Sequence, residues 1–247
     1  MNNRELEGQV VLITGAGSGI GRSHALYFPT LGASVIVHDV DATKIRTTVD
    51  AIRNAGGRAF GIVCDVRDSA RFRREIETAT AEARPVDVLV NNVGIASNGP
   101  IESLTVDELD TVFRVNVYSF VVALQAVLPA MKQRRAGRII NTSSNWALTG
   151  QENACVYAAT KAAILGLTKS WARELAPWNI TVNCIAPGGI YTELLETSAE
   201  RLARIPLGRH GDPLDVSHMV GFLASHRSSY MTGGVLNLTG GELIPGC

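Results

Sequence analysis

Tyr157 and Lys161 stand four residues apart in a helix-patterned stretch, so they share one helix face a single turn from each other. An isolated phenol titrates near pH ~10. A positive charge held beside it favours the phenolate and brings the group toward working pH, where it can take or give a proton. Ser144, thirteen residues before Tyr157, follows the strand-like run Gly137 to Ser143 and can offer a hydroxyl to the same oxygen of a bound substrate. A Tyr-x-x-x-Lys pair also arises by chance and on decorated surfaces. The rest of the chain has to decide.

The elements that must position these residues alternate regularly. Strand-like apolar runs lie near 9–14, 34–38, 59–64, 87–91, 138–143, 180–185 and 234–238, and helical patterns near 20–31, 42–55, 68–83, 104–133, 154–176 and 213–225. This implies an α/β fold, a doubly wound parallel sheet of about seven strands with helices on both faces. With no repeat, low-complexity tract or linker, residues 1–247 read as one domain. In such sheets a ligand lies beyond the carboxyl ends of the strands, where strand order reverses. Gly15 to Gly21, Asp39, Asp65, Asn91 to Gly94, Ser144 and Pro187 to Thr192 each fall just after a predicted strand.

Gln9 to Thr14 is a β-branched run that leads into Gly15-Ala16-Gly17-Ser18-Gly19-Ile20-Gly21 and then a helical pattern to Leu31. Strand, glycine-rich turn and helix start together form a phosphate cradle. Glycines permit the tight turn and close backbone approach, and the helix N-terminus offers free N–H groups to an anion. The cradle and the Tyr–Lys pair point to a dinucleotide oxidoreductase.

In order along the chain, Thr14-Gly15-x-x-x-Gly19-x-Gly21, Asp65-Val66, Asn91-Asn92-Val93-Gly94, Asn116, Ser144, Tyr157/Lys161, Asn183, Pro187-Gly188 and Thr192 resemble the landmarks of the short-chain dehydrogenase/reductase family, in its compact single-domain form. The resemblance covers essentially all of the chain. It implies that Tyr157 is the general acid/base of alcohol–ketone interconversion and that Lys161 lowers its pKa and holds the nicotinamide ribose. Ser144 is implied to hold the substrate oxygen, and Asn116 to hold a water linking the lysine to solvent. Taken as a residue alone, Asn116 is a poor helix former, and the alternative reading is a surface asparagine.

The same resemblance assigns the cofactor contacts to Gly15, Ser18, Gly19, Ile20, Gly21, Asp39, Val40, Asp65, Val66, Asn92, Gly94, Pro187, Gly188, Ile190 and Thr192, besides Tyr157 and Lys161. Asp39 ends the second strand, where a carboxylate accepts hydrogen bonds from ribose hydroxyls and repels a 2′-phosphate. NADP-preferring relatives usually carry a basic residue where this chain has Ser18 or Val40, so NAD is the expected cofactor. Asp65 resembles the residue that bonds the adenine edge, with Val66 against the ring. It could equally cap the helix that starts near Ser69.

The substrate is less legible. Ala147 replaces a common glycine, Thr239 a common Asp or Asn, and the segment between Thr192 and Pro206 is short for a substrate cover. Ile95, Trp146, Leu194 and Leu195 are the candidate substrate contacts, with Ile190 extending the wall. Trp146 reads alternatively as part of the sheet core or a subunit contact. No Arg or Lys is obviously placed as an anion clamp, although Arg201 and Arg204 can swing in, so a neutral, mainly apolar alcohol or ketone is expected. The other readings are a 3-oxoacyl-thioester reductase, a dinucleotide-sensing protein without catalysis, and an epimerase or dehydratase.

Bulk properties narrow the partners. Lys+Arg and Asp+Glu both number 23, which gives no electrostatic footprint for nucleic acid or an anionic membrane. No secretory signal core and no apolar run near 18 residues are present, so a soluble cytoplasmic protein is expected. Cys64, Cys155, Cys184 and Cys247 are scattered and read as reduced thiols. His24, His38, His210, His218 and His226 form no metal-binding pattern, and no metal is expected. The resemblance implies a homotetramer built on paired helices near 104–133 and 154–176 and on C-terminal edge strands, and those helices carry apolar residues on more than one side.

Overall fold

The computed structural model describes residues 4–193 and 198–244. Seven parallel strands form one sheet in the order β3-β2-β1-β4-β5-β6-β7. They are β1 (Val10–Thr14), β2 (Ser34–Asp39), β3 (Ala59–Val63), β4 (Val88–Asn91), β5 (Gly137–Thr142), β6 (Ile180–Pro187) and β7 (Val235–Leu238). Each predicted strand is present, with ends shifted by one or two residues.

The connecting helices are α1 (Gly19–Tyr27), α2 (Ala42–Asn54), α3 (Ser69–Ala83), α4 (Val106–Phe113), α5 (Ser119–Arg134), α6 (Trp146–Thr149), α7 (Cys155–Leu175), α8 (Ala199–Ala203) and α9 (Pro213–Ala224). Parallel strands covered on both faces read as near-continuous apolar runs, and the packing follows that pattern. Val11, Ile13, Val35, Val37, Val88 and Val90 pack toward the α1, α2 and α9 side. Val10, Leu12, Ile36, Leu89, Ile139 and Val182 pack on the other face with Phe72 and Ile76 of α3 and Val127 and Met131 of α5.

Two features depart from the sequence expectation. The single helix expected near 104–133 is interrupted by a π-helical turn, Arg114–Tyr118. A short helix, α6, which sequence periodicity did not suggest, follows β5 at once. The span Val106–Arg134 is long enough, and over an 18-residue stretch apolar enough, to cross a membrane by composition (mean hydropathy 1.5 over that stretch), but half of that stretch is buried inside the fold.

Because β1 lies between β2 and β4, the chain leaves β1 in one direction and returns to β4 on the other side. That reversal opens a crevice at the carboxyl edge, where the loops after β1, β4, β5 and β6 meet.

Candidate active site

The crevice is tied together by backbone groups. Thr14 ends β1 with its hydroxyl buried, accepting the N–H of Asn92 at 3.0 Å and of Val93 at 3.1 Å. The Asn92 amide donates back to the carbonyls of Thr14 and Gly15 at 3.1 and 3.2 Å. Gly15 has φ +65° and Gly19 φ +51°, in the left-handed region where a side chain is strained. A Cβ on Gly15 would come within 2.8 Å of the Val93 Cα. Close approach of the two loops therefore requires glycine.

The Ser18 side chain makes no capping hydrogen bond to α1, and no acidic residue stands in the first turn. Helix N-terminal amides in that state suit an anion, so the loop fits a dinucleotide's phosphates. Thr192 lies over this loop, its Cγ2 3.4 Å from where a Cβ of Gly19 would stand. A groove of about 760 Å3 runs from Gly17, Ser18 and Gly19 past Arg22, Lys44 and Glu193 along α1, and neither Ser144 nor Tyr157 lines it.

Asp39 accepts the Gly17 N–H at 3.0 Å and the Asp41 N–H at 3.2 Å, which fixes the carboxylate against the glycine loop. Val40 beside it is exposed. Asp65 does not cap the third helix. That role belongs to Asp68, whose carboxylate accepts the Arg71 N–H at 3.0 Å. Asp65 instead accepts the Arg67 backbone N–H at 2.9 Å and grips its guanidinium, and this hydrogen bonding holds its carboxyl below the usual carboxylate range. Val66 is buried, packing in the apolar layer with Phe72.

At the other end of the crevice, Ser144 follows β5 and is 7% exposed, while Lys161 on α7 is 2% exposed. The Lys161 Nζ donates to the Thr142 carbonyl at 2.9 Å and lies 5.6 Å from the centre of the Tyr157 ring and 5.8 Å from that of Phe120. Burial lowers the Lys161 pKa to about 8. Burial also pushes the Tyr157 phenol up, and a hydrogen bond with the Ser144 hydroxyl works against that rise. The expected lowering of Tyr157 by Lys161 is thus not the dominant effect in the chain alone. The ammonium is turned to a backbone carbonyl, and its own desolvation weakens the charge it can offer.

Asn116 is fully buried in the π-helical turn, which excludes the surface reading. Its Oδ1 accepts the Ile95 N–H at 2.8 Å, and its Nδ2 donates to the Ile95 carbonyl at 3.0 Å and to the Thr160 hydroxyl at 3.0 Å. Single π-turns inside α-helices recur at functional sites. Here the turn brings an asparagine from the α4–α5 helix against the loop after β4. Gly94 fits between the two, since a Cβ there would stand 3.4 Å from both the Asn116 Oδ1 and the Lys161 Nζ.

Trp146 packs edge-on against the Tyr157 ring, centroids 5.7 Å apart at 83°, so it belongs to the site and not to the sheet core. The Arg201 guanidinium lies 5.8 Å from the Trp146 ring, and Arg204 pairs with Glu200 at 2.6 Å. Ile95 is partly exposed at the site. Ile190 is not available as a wall: it is 6% exposed, bridged to Gly211, with its side chain in the core beside α9. Leu194 and Leu195 lie outside the described residues. Sequence reasoning missed Thr160, which links Asn116 to the helix of Tyr157, and it missed Asn145 and Glu242. For Asn145, adjacency to Ser144 was the only available signal.

The model of short chain dehydrogenase matches residues 9–203. The chain belongs to the short-chain dehydrogenase/reductase family. Among its relatives in this family, a 3-oxoacyl-[acyl-carrier-protein] reductase of Thermotoga maritima is 39% identical over 244 residues, 97% of this chain and 99% of that one. A 7alpha-hydroxysteroid dehydrogenase of Escherichia coli is 35% identical, over 97% of this chain and 96% of the other. The structure of a 3-oxoacyl-[acyl-carrier protein] reductase from Brucella melitensis with bound NAD superposes with a TM-score of 0.92 at 35% identity, covering 97% of this chain and 93% of that chain. A blue fluorescent protein from a metagenomic library, in complex with NADPH, gives 0.91 at 35% identity, covering 97% of this chain and 100% of that one. This short-chain dehydrogenase/reductase is therefore an oxidoreductase with the fold of neighbours that hold NAD or NADPH.

Proposed function

We propose that the protein is an NAD(H)-dependent enzyme that interconverts a secondary alcohol and a ketone. The observation that carries this reading is the convergence of three side chains: the Lys161 Nζ lies 5.6 Å from the centre of the Tyr157 ring, and buried Ser144 accepts the N–H of Trp146, whose ring packs on Tyr157. The groups that would hold the dinucleotide are the glycine loop with Ser18, Gly19, Ile20 and Gly21, together with Asp39, Val40, Asp65, Val66, Asn92, Gly94 and the Pro187–Thr192 loop. The bound nicotinamide would supply or accept a hydride at the carbinol carbon.

The chain's own work is proton handling and orientation. In oxidation, Tyr157 as phenolate takes the hydroxyl proton. In reduction, the neutral phenol gives it back to the carbonyl oxygen. Ser144 holds that oxygen within reach, Lys161 holds the nicotinamide ribose and adds positive charge beside the phenol, and Asn116 fixes the Ile95 segment facing it. One domain then carries both cofactor and chemistry.

Asp39 supports NAD over NADP. Its carboxylate is fixed beside the glycine loop, where a 2′-phosphate would meet a negative charge. Trp146, packed on the Tyr157 ring, and exposed Ile95, held by Asn116, offer apolar surface near the reacting end, which favours a neutral, mainly apolar substrate. Reduction of a 3-oxoacyl thioester is the second reading, favoured by the Thermotoga relative. A homotetramer is supported by apolar residues left exposed on the long helix, among them Val106, Leu109 and Tyr118. A cytoplasmic location is supported by Cys64, Cys155 and Cys184, which form no disulfide.

An assay at the nicotinamide absorbance band tests the whole reading, using aryl and cycloalkyl carbinols, hydroxy acids and a 3-oxoacyl thioester, each with both dinucleotides. Turnover of apolar carbinols with NAD is the expected result. Preference for the thioester would select the second reading, and preference for anionic hydroxy acids would overturn the substrate class.

A further inference from the structure

Ser144 does not face Tyr157 alone. Its hydroxyl donates to the Asn145 Oδ1 at 3.2 Å, and the Asn145 Nδ2 donates to the Glu242 Oε2 at 3.2 Å, across 97 residues of sequence. Asn145 is 6% exposed, and its backbone is held independently, with its N–H on the Pro187 carbonyl at 3.0 Å and its own carbonyl receiving the Leu148 and Thr149 N–H groups at 2.9 and 3.1 Å. Glu242 sits in the turn after β7. Thr239, the unusual residue at that position, closes this turn by accepting the Leu243 N–H at 3.2 Å. The carboxylate also lies against Gly188, where a Cβ would come 3.0 Å from the Oε2. One C-terminal side chain therefore touches the loop after β6 and, through one amide, the catalytic serine.

We propose that Asn145 is a positioning residue that sets the direction of the Ser144 hydroxyl, and that Glu242 fixes which face of the Asn145 amide meets the serine. This rests on the reading of Tyr157 as the acid/base. An ionised carboxylate only accepts hydrogen bonds. Glu242 therefore selects the amide orientation in which Nδ2 points to it and Oδ1 points to Ser144. The serine must then donate to Asn145, while its oxygen accepts the Trp146 N–H at 3.2 Å and is open to the phenol O–H.

The serine proton thus has two competing acceptors, the Asn145 Oδ1 and the Tyr157 oxygen. Ionisation of Tyr157, or arrival of a substrate carbonyl, requires the proton to swing away from Asn145. Asn145 holds the serine to two defined directions and opposes formation of the phenolate. The charged and titratable groups around Tyr157 are Lys161 on its own helix, Arg201 of α8 behind the Trp146 ring, Cys184 of β6 next to Lys161, and Glu242 through Asn145. Cys184 is a neutral thiol, pushed up to about 11 by burial, so it does not compete at working pH.

The test is the pH profile of kcat/KM for alcohol oxidation with NAD, in Asn145→Ala, Glu242→Ala and the double variant, with Tyr157→Phe as reference. Removing Asn145 frees the serine proton for the phenolate, so the profile should move to lower pH by about half a unit or more while kcat falls several-fold. Exposed Glu242 can be truncated without opening the core. Its loss lets the Asn145 amide turn over, and the profile should move in the same direction by less. The double variant should match Asn145→Ala alone, because both act through one hydrogen bond. Unmoved profiles with an inactive Tyr157→Phe would overturn this inference and leave the acid/base reading standing, as would independent, additive effects. An active Tyr157→Phe would overturn both.

Discussion

Between β1 and β4 the protein presents mostly main chain: glycines in left-handed conformations, loop N–H groups held by Thr14 and loop carbonyls held by the Asn92 amide, and the first turn of α1. Beyond β5 it presents packed side chains: buried Ser144 and Lys161 with the half-buried Tyr157 ring beside Lys161, and Asn116 clamped on the facing loop. The first region needs only a close, unobstructed backbone to meet phosphates. The second must hold titratable groups in a dry setting, and burial shifts Tyr157 up and Lys161 down. Substitutions in the first region should therefore alter cofactor affinity and loop stability, and those in the second should alter turnover and its pH dependence.

The largest expected effect is in the second region. Tyr157→Phe keeps the ring against Trp146 and removes the hydroxyl proposed to carry the proton, so turnover should fall roughly 100-fold or more, with NAD binding unchanged when followed by fluorescence titration. Retention of most activity would make Tyr157 a packing residue and erase the distinction drawn between the regions. The first region's counterpart is Thr14→Val. The isosteric change removes the acceptor of two loop N–H groups, at a cost of about 2 kcal/mol. Urea denaturation should show that loss and weaker NAD binding, while the kinetic pKa stays in place. A moved pKa would mean that the two regions are coupled.

The sequence was readable where the signal was local. The glycine loop and the Tyr–Lys pair each occupy a few consecutive turns, and strands buried on both faces appear as plain apolar runs. What could not be read depends on long-range neighbours. The π-turn at Asn116 cannot be told from a continuous helix until the Ile95 backbone is brought beside it. Ile190 looks like a loop residue free to line a pocket, yet its bridge to Gly211 turns it into the core. Asp65 reads as a helix cap by type and spacing, and only the hydrogen bonds assign that role to Asp68. The tie of Asn145 to Glu242 joins two loops from opposite ends of the chain's second half.

Asp39 lies on the boundary between the two kinds of construction, since its side chain supports a backbone loop. NAD should bind at least tenfold tighter than NADP, about 1.4 kcal/mol or more. Asp39→Ser should narrow that gap and also loosen both dinucleotides, because the Gly17 N–H loses its acceptor. Asp39→Asn keeps an acceptor for Gly17 while removing the charge and the weaker acceptor of the Asp41 N–H, so it should narrow the gap with a smaller loss of NAD affinity than Asp39→Ser. Isothermal titration with both dinucleotides separates the two effects, and equal affinities in the unmodified protein would sink the NAD assignment.

The smallest effect concerns stability and sharpens the contrast from the catalytic side. The folded-state pKa of Lys161, about 8, lies below its ordinary value of 10.5. Folding therefore disfavours the charged form, by about 3 kcal/mol when both states are protonated. That cost is fully present below pH 8. It fades as pH rises, because the folded protein sheds the proton first, and it is gone by about pH 10.5. Lys161→Met removes the charge and fills much of the same space, but it leaves the Thr142 carbonyl without its 2.9 Å donor, which offsets about 1–3 kcal/mol of the gain. The variant should be inactive yet more stable than the parent by about 1 kcal/mol at pH 7. The difference should shrink and then reverse toward pH 10, where only the orphaned carbonyl is left to count against the variant. A pH-independent difference in urea unfolding would mean that Lys161 carries no desolvation cost, and the catalytic region would then lack the strain that distinguishes it from the glycine loop.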